Sequence, residues 1–225
     1  MNGATCSAEG IVLDGNNDYV DIDDWEWGGA TSFEVYVKYD RFSKYSRVFD
    51  FGSGTGSDSV LLYNWKATSK ISWWVYQGSP YKYLHTSNWD SATWTHVVVS
   101  IKDTTTKVYK NGVLVTTKTN WWEPNVLTRT NHIIGAADWD GMNYYLDGTI
   151  GYLKMWHGVE VRRKLPDLPP ALPTKPRSPI PPPSSPLPTL HLADHRLRCH
   201  LPVRSPQHRP PLLGLPRLHH RSRRY

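Results

Sequence analysis

The sequence is poor in cysteine and in long apolar runs, and each shortage excludes a class of protein. It contains two cysteines, Cys6 and Cys199, in 225 residues. Two cysteines so far apart cannot form the disulfide framework of a small secreted scaffold, so we expect packing to hold the fold. No run of about 18 apolar residues occurs, and we predict no membrane span. The first residues also lack the basic and apolar regions of a signal peptide.

Aromatic and acidic residues are scarce in the C-terminal segment. From Arg162 to Tyr225 the chain holds 16 of its 18 prolines and 13 of its 26 basic residues, but two acids and one aromatic residue. Such a composition cannot build a core, so we predict a disordered Pro/Arg/His-rich tail or linker over residues 162–225. A basic interaction arm is one alternative. A frameshifted translation is another, since C-rich DNA encodes Pro, Arg, Leu and His.

The net charge of +6 therefore averages two unlike regions. The tail carries a net charge of +11, whereas the first 161 residues have 13 basic and 18 acidic side chains, a net charge of −5. A basic total that comes from a proline-rich tail does not indicate a nucleic-acid-binding domain. We predict no nucleic-acid partner.

The first 161 residues contain the pattern of an all-β sandwich. Ser32–Tyr39 alternates apolar and polar residues, which predicts one face on the core and one toward water. Trp94–Val115 predicts three antiparallel strands, because its β-branched runs are separated by a turn at 103–105 and by Asn111-Gly112. That dipeptide favours a type I′ turn, in which both central residues have φ > 0. Further short strands at similar spacing are typical of a sandwich.

Three segments resemble, in order, the strands of one domain family. The first is Leu13–Val20 continued by Phe33–Val37, the second is Trp94–Gly112, and the third is Leu146–Trp156. Together they resemble the laminin-G-like, concanavalin A-like jelly-roll domains. The resemblance implies one jelly-roll domain over residues 1–161, an extracellular or cell-surface location, and a place within a larger multidomain protein.

Three functions are compatible with this resemblance, because one sandwich hosts many activities. The leading prediction is a non-catalytic module that binds carbohydrate or a glycosylated surface partner. The second is a glycoside hydrolase of the same superfamily. Asp21, Asp23 and Glu26 resemble the paired catalytic acids of those enzymes. Retaining hydrolysis needs two carboxyl groups about 5–5.5 Å apart, but Asp21 is shorter than the family's glutamate, so we assign no catalytic residue. The third is a structural adhesion domain of an extracellular protein.

Surplus aromatic residues are the candidate ligand-binding groups, because sugar rings stack on aromatic faces. The predicted binding residues lie in or beside loops: Trp121, Trp122, Trp139 and Tyr144. Trp73 and Trp74 are neighbours on a predicted strand, so one of them must point away from the core, and Tyr81 and Tyr83 share a face. The alternative is that these rings cap the open ends of the sandwich.

Two loops rich in oxygen ligands are candidate calcium sites. One holds Asp138, Asp140 and Asn143, which we predict as metal ligands, and the other holds Asp14, Asn16 and Asp18. Calcium prefers clustered carboxylate and carbonyl oxygens on loops, and the family resemblance also implies a calcium at the rim of the sandwich. The alternative is that Asp and Asn are present because they form turns.

Overall fold

The computed structural model describes residues 1–139 and 144–157 and the backbone of residues 196–197. Every regular element within these residues is a β-strand. The strands are β1 Thr5–Cys6, β2 Ile11–Asp14, β3 Val20–Ile22, β4 Trp25–Trp27, β5 Thr31–Arg41, β6 Arg47–Gly52, β7 Val60–Asn64, β8 Lys70–Tyr76, β9 Tyr81–Asn88, β10 Trp94–Lys102, β11 Thr105–Lys110, β12 Val113–Lys118, β13 Leu127–Arg129, β14 Asn131–Ile134, β15 Asp147–His157 and β16 Arg196–Leu197.

Two antiparallel sheets carry most of these strands. Sheet 1 has the order β1-β2-β15-β5-β10-β11-β12, with β16 also paired to β15, and sheet 2 has the order β3-β14-β6-β7-β8-β9. A short ladder of β4 and β13 stands apart from both. Because β15, late in the chain, pairs with both β2 and β5, long-range pairing holds sheet 1 together. The described residues include no helix long and apolar enough to cross a membrane.

The core lies between the two sheets, which pack face to face. The ring centroid of Phe33 on β5 is 4.9 Å from that of Phe49 on β6 and 5.5 Å from that of Trp73 on β8. All three side chains are buried. This layered arrangement confirms the predicted all-β, concanavalin A-like jelly-roll sandwich.

The inner face of strand β5 is as predicted, but its outer face differs from the prediction. Phe33, Val35, Val37 and Tyr39 are all buried in the core. On the opposite face, however, Glu34 is only 4% exposed. Side chains of β10 and β15 cover it, so this part of the outer face is not simply turned toward water.

The turns of the central meander follow their sequence. Asn111 and Gly112 have φ of 48° and 80°, which confirms the predicted type I′ turn between β11 and β12. The preceding turn, between β10 and β11, also has two positive φ angles, 49° at Asp103 and 59° at Thr104. Both hairpins therefore have the twist that suits paired strands.

Three features of the fold were not predicted. Strands β4 and β13 have three residues each, too few to show a period. Cys6 is disulfide-bonded, which corrects the expectation that packing alone holds the fold; its partner lies outside the described residues. Of the predicted tail, the structure describes the backbone of β16 alone, paired with β15 at Leu153 and Lys154.

Candidate functional site

Two of the four predicted ligand-binding residues lie on the core side of the molecule. Trp121 is only 6% exposed and belongs to the core cluster, so its ring offers no face to a ligand. Trp122 is half-buried against the same cluster, with the Lys82 ammonium 4.8 Å from its ring centroid. The expectation of an exposed Trp121 was wrong because its segment folds back onto the sandwich: the Trp121 backbone N–H donates to the Thr104 carbonyl.

The other two predicted residues meet at the outer surface of sheet 2. The guanidinium carbon of Arg47 lies 5.8 Å from the Trp139 ring centroid and 5.1 Å from that of Tyr144. Trp139 also packs edge-on against Tyr76 at 6.1 Å, and Tyr144 against Tyr45 at 5.3 Å. Trp139 and Tyr144, which the sequence predicted as ligand-binding residues, therefore lie on one surface with other aromatic rings.

The candidate site is a dense group of rings on the outer surface of sheet 2, which we call the aromatic face. Strand alternation sends Trp73 into the core and Trp74 outward, where it packs with Tyr63 and Tyr76 in a second cluster. The aromatic face consists of Tyr45, Tyr63, Trp65, Trp74, Tyr76, Tyr81, Tyr83, Trp139 and Tyr144, together with His85.

Five of these rings form a continuous line, the ring row. Successive centroids are separated by 4.2 Å for Trp65–His85, 5.2 Å for His85–Tyr83, 5.1 Å for Tyr83–Trp74 and 4.8 Å for Trp74–Tyr81. Tyr81 and Tyr83 are 48% and 52% exposed, and the other three are half-buried. Tyr81, Tyr83 and His85 occupy alternate positions of edge strand β9, a span of about 13 Å. The row is thus an accessible, extended apolar strip.

A buried ion pair lies beneath the aromatic face. The Arg47 Nε atom donates to Asp50 Oδ2 at 3.1 Å, and the guanidinium carbon lies 4.4 Å from the Tyr63 ring centroid. Burial raises the pKa of Asp50, and the Arg47 charge opposes that rise. Burial also raises the pKa of Tyr76 to about 12, so its hydroxyl stays protonated at neutral pH. The pair fixes Arg47 under the rings instead of leaving it free for a ligand.

The acidic stretch near the N-terminus does not form one regular strand. Asp21 lies on β3 and Glu26 on β4, which belong to different sheets, and Asp23 lies in the connection between them. All three side chains are exposed. These carboxylates therefore do not share one strand face, because the chain leaves sheet 2 after Ile22.

The first oxygen-rich loop uses its carboxylates to form turns. Asp18 Oδ2 accepts from the Asp14 backbone N–H at 3.1 Å, and Asp14 Oδ1 accepts from the Asn16 N–H at 2.9 Å. In the second loop, Asp138 Oδ2 accepts from the Gly54 N–H at 3.1 Å, whereas Asp140 and Asn143 lie outside the described residues. No group of three or more His, Cys, Asp or Glu side chains suited to a metal occurs within the described part. Calcium binding stays a prediction.

The outer surface of sheet 1 carries a separate cluster around Glu34. Its Oε1 atom accepts from the Tyr152 hydroxyl at 2.8 Å and lies 3.2 Å from His96 Nε2 and 3.4 Å from Lys154 Nζ. Burial by itself raises the pKa of Glu34, but the bonds from His96 and Tyr152 and the Lys154 charge lower it to about 2. The carboxylate is satisfied within the protein, so we assign this cluster a structural role.

The comparisons with known proteins identify the family and the fold. The sequence profile of the concanavalin A-like lectin/glucanases superfamily matches residues 14–160. No curated protein sequence matches the chain.

Many solved structures share the architecture. Domain 4 of AbnA, an extracellular arabinanase of Geobacillus stearothermophilus solved with arabinotriose, is 18% identical with a TM-score of 0.54, over 69% of this chain and 74% of that one. The carbohydrate-binding module of a Ruminococcus gnavus sialidase, solved with α2,3-sialyllactose, is 12% identical with a TM-score of 0.53, over 65% and 93%. Mouse laminin α1 domains LG4-5 are 11% identical with a TM-score of 0.52, over 67% and 42%.

Proposed function

The chain belongs to the concanavalin A-like lectin/glucanase superfamily, and from this membership we propose that it is a non-catalytic carbohydrate-binding domain whose ligand lies along the aromatic face. The partner is a polysaccharide or the glycan of a surface glycoprotein, met outside the cell or at its surface. Solved members of the same architecture include domains bound to arabinotriose and to sialyllactose.

The observation that carries the proposal is the exposed ring row. Sugar rings present apolar C–H faces that stack on aromatic side chains, and an extended row suits a chain of sugars better than a single one. Trp74 and Tyr81 are stacked almost parallel, with an interplanar angle of 9°, so their positions are set before a ligand arrives. Preorganised rings lose little conformational entropy on binding.

Hydroxyl recognition comes from polar groups of the row itself. The Tyr81 and Tyr83 side chains are exposed, and a tyrosine hydroxyl both donates and accepts hydrogen bonds. His85 Nδ1 lies 2.7 Å from Ser72 Oγ, which holds the imidazole in place between Trp65 and Tyr83. The face therefore combines stacking surface with groups that bind sugar hydroxyls.

Replacing Tyr83 by alanine in the full chain tests the site. We expect binding to an immobilised panel of polysaccharides to weaken by about 1–3 kcal/mol, the scale of an aromatic anchor, with the circular dichroism spectrum unchanged. Tyr109→Ala is the matched control, because Tyr109 is a half-buried tyrosine on sheet 1. Equal losses in both variants, or no saturable binding by the native chain, would overturn the proposal.

A further inference from the structure

We infer that the ligand of the aromatic face is an acidic polysaccharide, one that carries carboxylate or sulfate groups, and that its anionic groups are held at the end of the face occupied by Lys44, Lys66 and Lys70. This inference rests on the proposed glycan-binding function and adds the ligand's charge. We call these three side chains the lysine end.

The lysine end belongs to the same surface as the ring row. The Lys66 ammonium lies 5.6 Å from the Trp65 ring centroid, and the Lys44 ammonium lies 5.6 Å from the centroid of Tyr45. The rings of Tyr45 and Trp65 are themselves 5.3 Å apart. The Trp65 backbone N–H donates to the Lys70 carbonyl at 2.9 Å, which places Lys70 beside the Trp65 end of the row. Burial, with a smaller contribution from the Lys70 charge, lowers the pKa of the His85 imidazole. A ligand that stacks on Trp65 therefore reaches these ammonium groups.

Hydrogen bonds hold together the two loops that carry Lys44 and Lys66. The fully buried Asn64 side chain donates through Nδ2 to the carbonyls of Ser43, Lys66 and Thr68 at 2.9, 2.8 and 2.9 Å. The Tyr45 backbone N–H also donates to the Lys66 carbonyl at 2.8 Å. One amide thus ties the loop before β6 to the turn after β7, which keeps Lys44 and Lys66 on neighbouring segments.

The charges of the lysine end are not neutralised by the protein. All three side chains are exposed, and none of them belongs to an ion pair among the described residues. Other lysines are paired: Lys38 with Glu9, Lys110 with Asp90 and Lys154 with Glu34. A concentration of unpaired positive charge is unexpected in a region whose net charge is −5. Like charges on one surface repel one another, and an anionic ligand relieves that repulsion.

An acidic polysaccharide fits this surface better than a single-stranded nucleic acid does. Single-stranded nucleic acids also combine stacking with phosphate contacts, but they bind in a positively charged groove that tracks the whole backbone. Within the part of the chain that the structure describes, Lys66 lies over the Trp65 ring at one end of the row, and no lysine lies over the ring of Tyr81 at the other end. A chain of sugars with acidic groups needs stacking along its length and charge at intervals.

Paired polymers with one backbone isolate the effect of charge. Dextran sulfate against dextran tests sulfate, and polygalacturonate against its methyl ester tests carboxylate, each with the full native chain in a solution binding assay. Residues 162–225 carry 13 basic residues of their own, so binding by the native chain alone does not locate the site. The decisive comparison is Lys66→Ala/Lys70→Ala against Lys102→Ala/Lys118→Ala, which removes the same charge from sheet 1.

We expect the Lys66/Lys70 variant to bind one of the charged polymers roughly tenfold or more weakly, the scale of two cations beside an anionic surface, and the sheet 1 variant to change less than about twofold. Rising salt should erase the difference, because exposed charges are screened. Equal losses in both variants would overturn the inference, as would tighter binding of a single-stranded oligonucleotide through the same lysines. If Tyr83→Ala weakens binding of a neutral polymer while the Lys66/Lys70 variant binds every charged polymer as the native chain does, glycan binding stands and the anionic ligand is wrong.

Discussion

At the scale of single residues, His132 illustrates how burial sets the state of an ionisable group. Its Nε2 atom accepts from the Trp27 indole N–H at 2.9 Å, and its ring stacks on Trp25 with centroids 3.6 Å apart. Burial, with a smaller contribution from the Arg129 charge, lowers the pKa of His132 from 6.5 to about 3. A neutral imidazole is required, because only that form leaves Nε2 free to accept the indole proton.

The His132 pKa predicts a pH dependence of stability. The depressed folded-state pKa means that its contribution is present above pH 6.5 and is lost as the pH falls toward 3. For each pH unit below 6.5, protonation of this group in the unfolded state should therefore lower the free energy of unfolding by about 1.4 kcal/mol. Urea unfolding of the native chain and of His132→Gln between pH 7 and pH 4 measures it, since glutamine accepts the same bond without titrating.

Between pH 6.5 and pH 4, the free energy of unfolding of the native chain should fall by about 3 kcal/mol more than that of His132→Gln. The variant is expected to be less stable at pH 7, where it lacks the stacking on Trp25, so the slope and not the absolute stability is compared. Parallel slopes would show that another group dominates the acid response.

At the scale of strands and turns, β8 and β9 supply every ring of the ring row except Trp65. In sheet 1, the turn between β11 and β12 sets how these two strands pair. In β8, Ile71, Trp73 and Val75 face the core, so Trp74 and Tyr76 face outward. The outward ring of Trp74 is paired across the ladder with Tyr83. Cross-strand aromatic pairs stabilise a sheet, and here they also form part of the candidate ligand surface.

Gly112→Val tests the turn that sets the hairpin. Gly112 has φ of 80°, a conformation that disfavours a β-branched residue by roughly 1–2 kcal/mol. We expect the free energy of unfolding, measured in urea, to fall by about that amount. Val113→Thr, at the adjacent position that is 64% exposed, is the control and should change stability by less than about 0.5 kcal/mol. Equal effects would show that the glycine conformation is not what matters.

At the scale of the whole molecule, the described residues form a complete sandwich with its core between two sheets. The buried core cluster draws on both sheets and extends from Ala4 to Met155. The pairing of β16 with β15 nevertheless connects the sandwich with residues beyond 157, and Cys6 is disulfide-bonded. The division into residues 1–161 and 162–225 stays a prediction.

Truncation after Val161 tests that division. Because the core cluster lies within the first 157 residues, we expect the shortened chain to fold. Its Tm should lie less than about 4–8 °C below that of Cys6→Ser, the shift that corresponds to 1 kcal/mol in a small domain. Cys6→Ser in the full chain is the companion variant, which separates loss of the disulfide from loss of β16. A larger drop on truncation than in Cys6→Ser would show that residues 162–225 stabilise the sandwich through packing.

The sequence by itself determined the features that depend on local pattern. Alternation assigned the inner face of β5, the Asn111-Gly112 dipeptide predicted a type I′ turn, and three ordered segments identified the family. Alternation also showed that Trp73 and Trp74 face opposite ways and that Tyr81 and Tyr83 share a face. These features follow from periods of two and from turn geometry, which residues close in sequence set among themselves.

Only the tertiary structure decided which of these faces carries the candidate site. Arg47 meets Tyr63, Trp139 and Tyr144 because strands and loops far apart in sequence converge there. For the same reason Trp121 is buried although it follows a polar stretch, and Asn64 brings two lysine-bearing loops together. Local periodicity states which way a side chain points, but what lies opposite it depends on sheet order and register, which are fixed by long-range pairing.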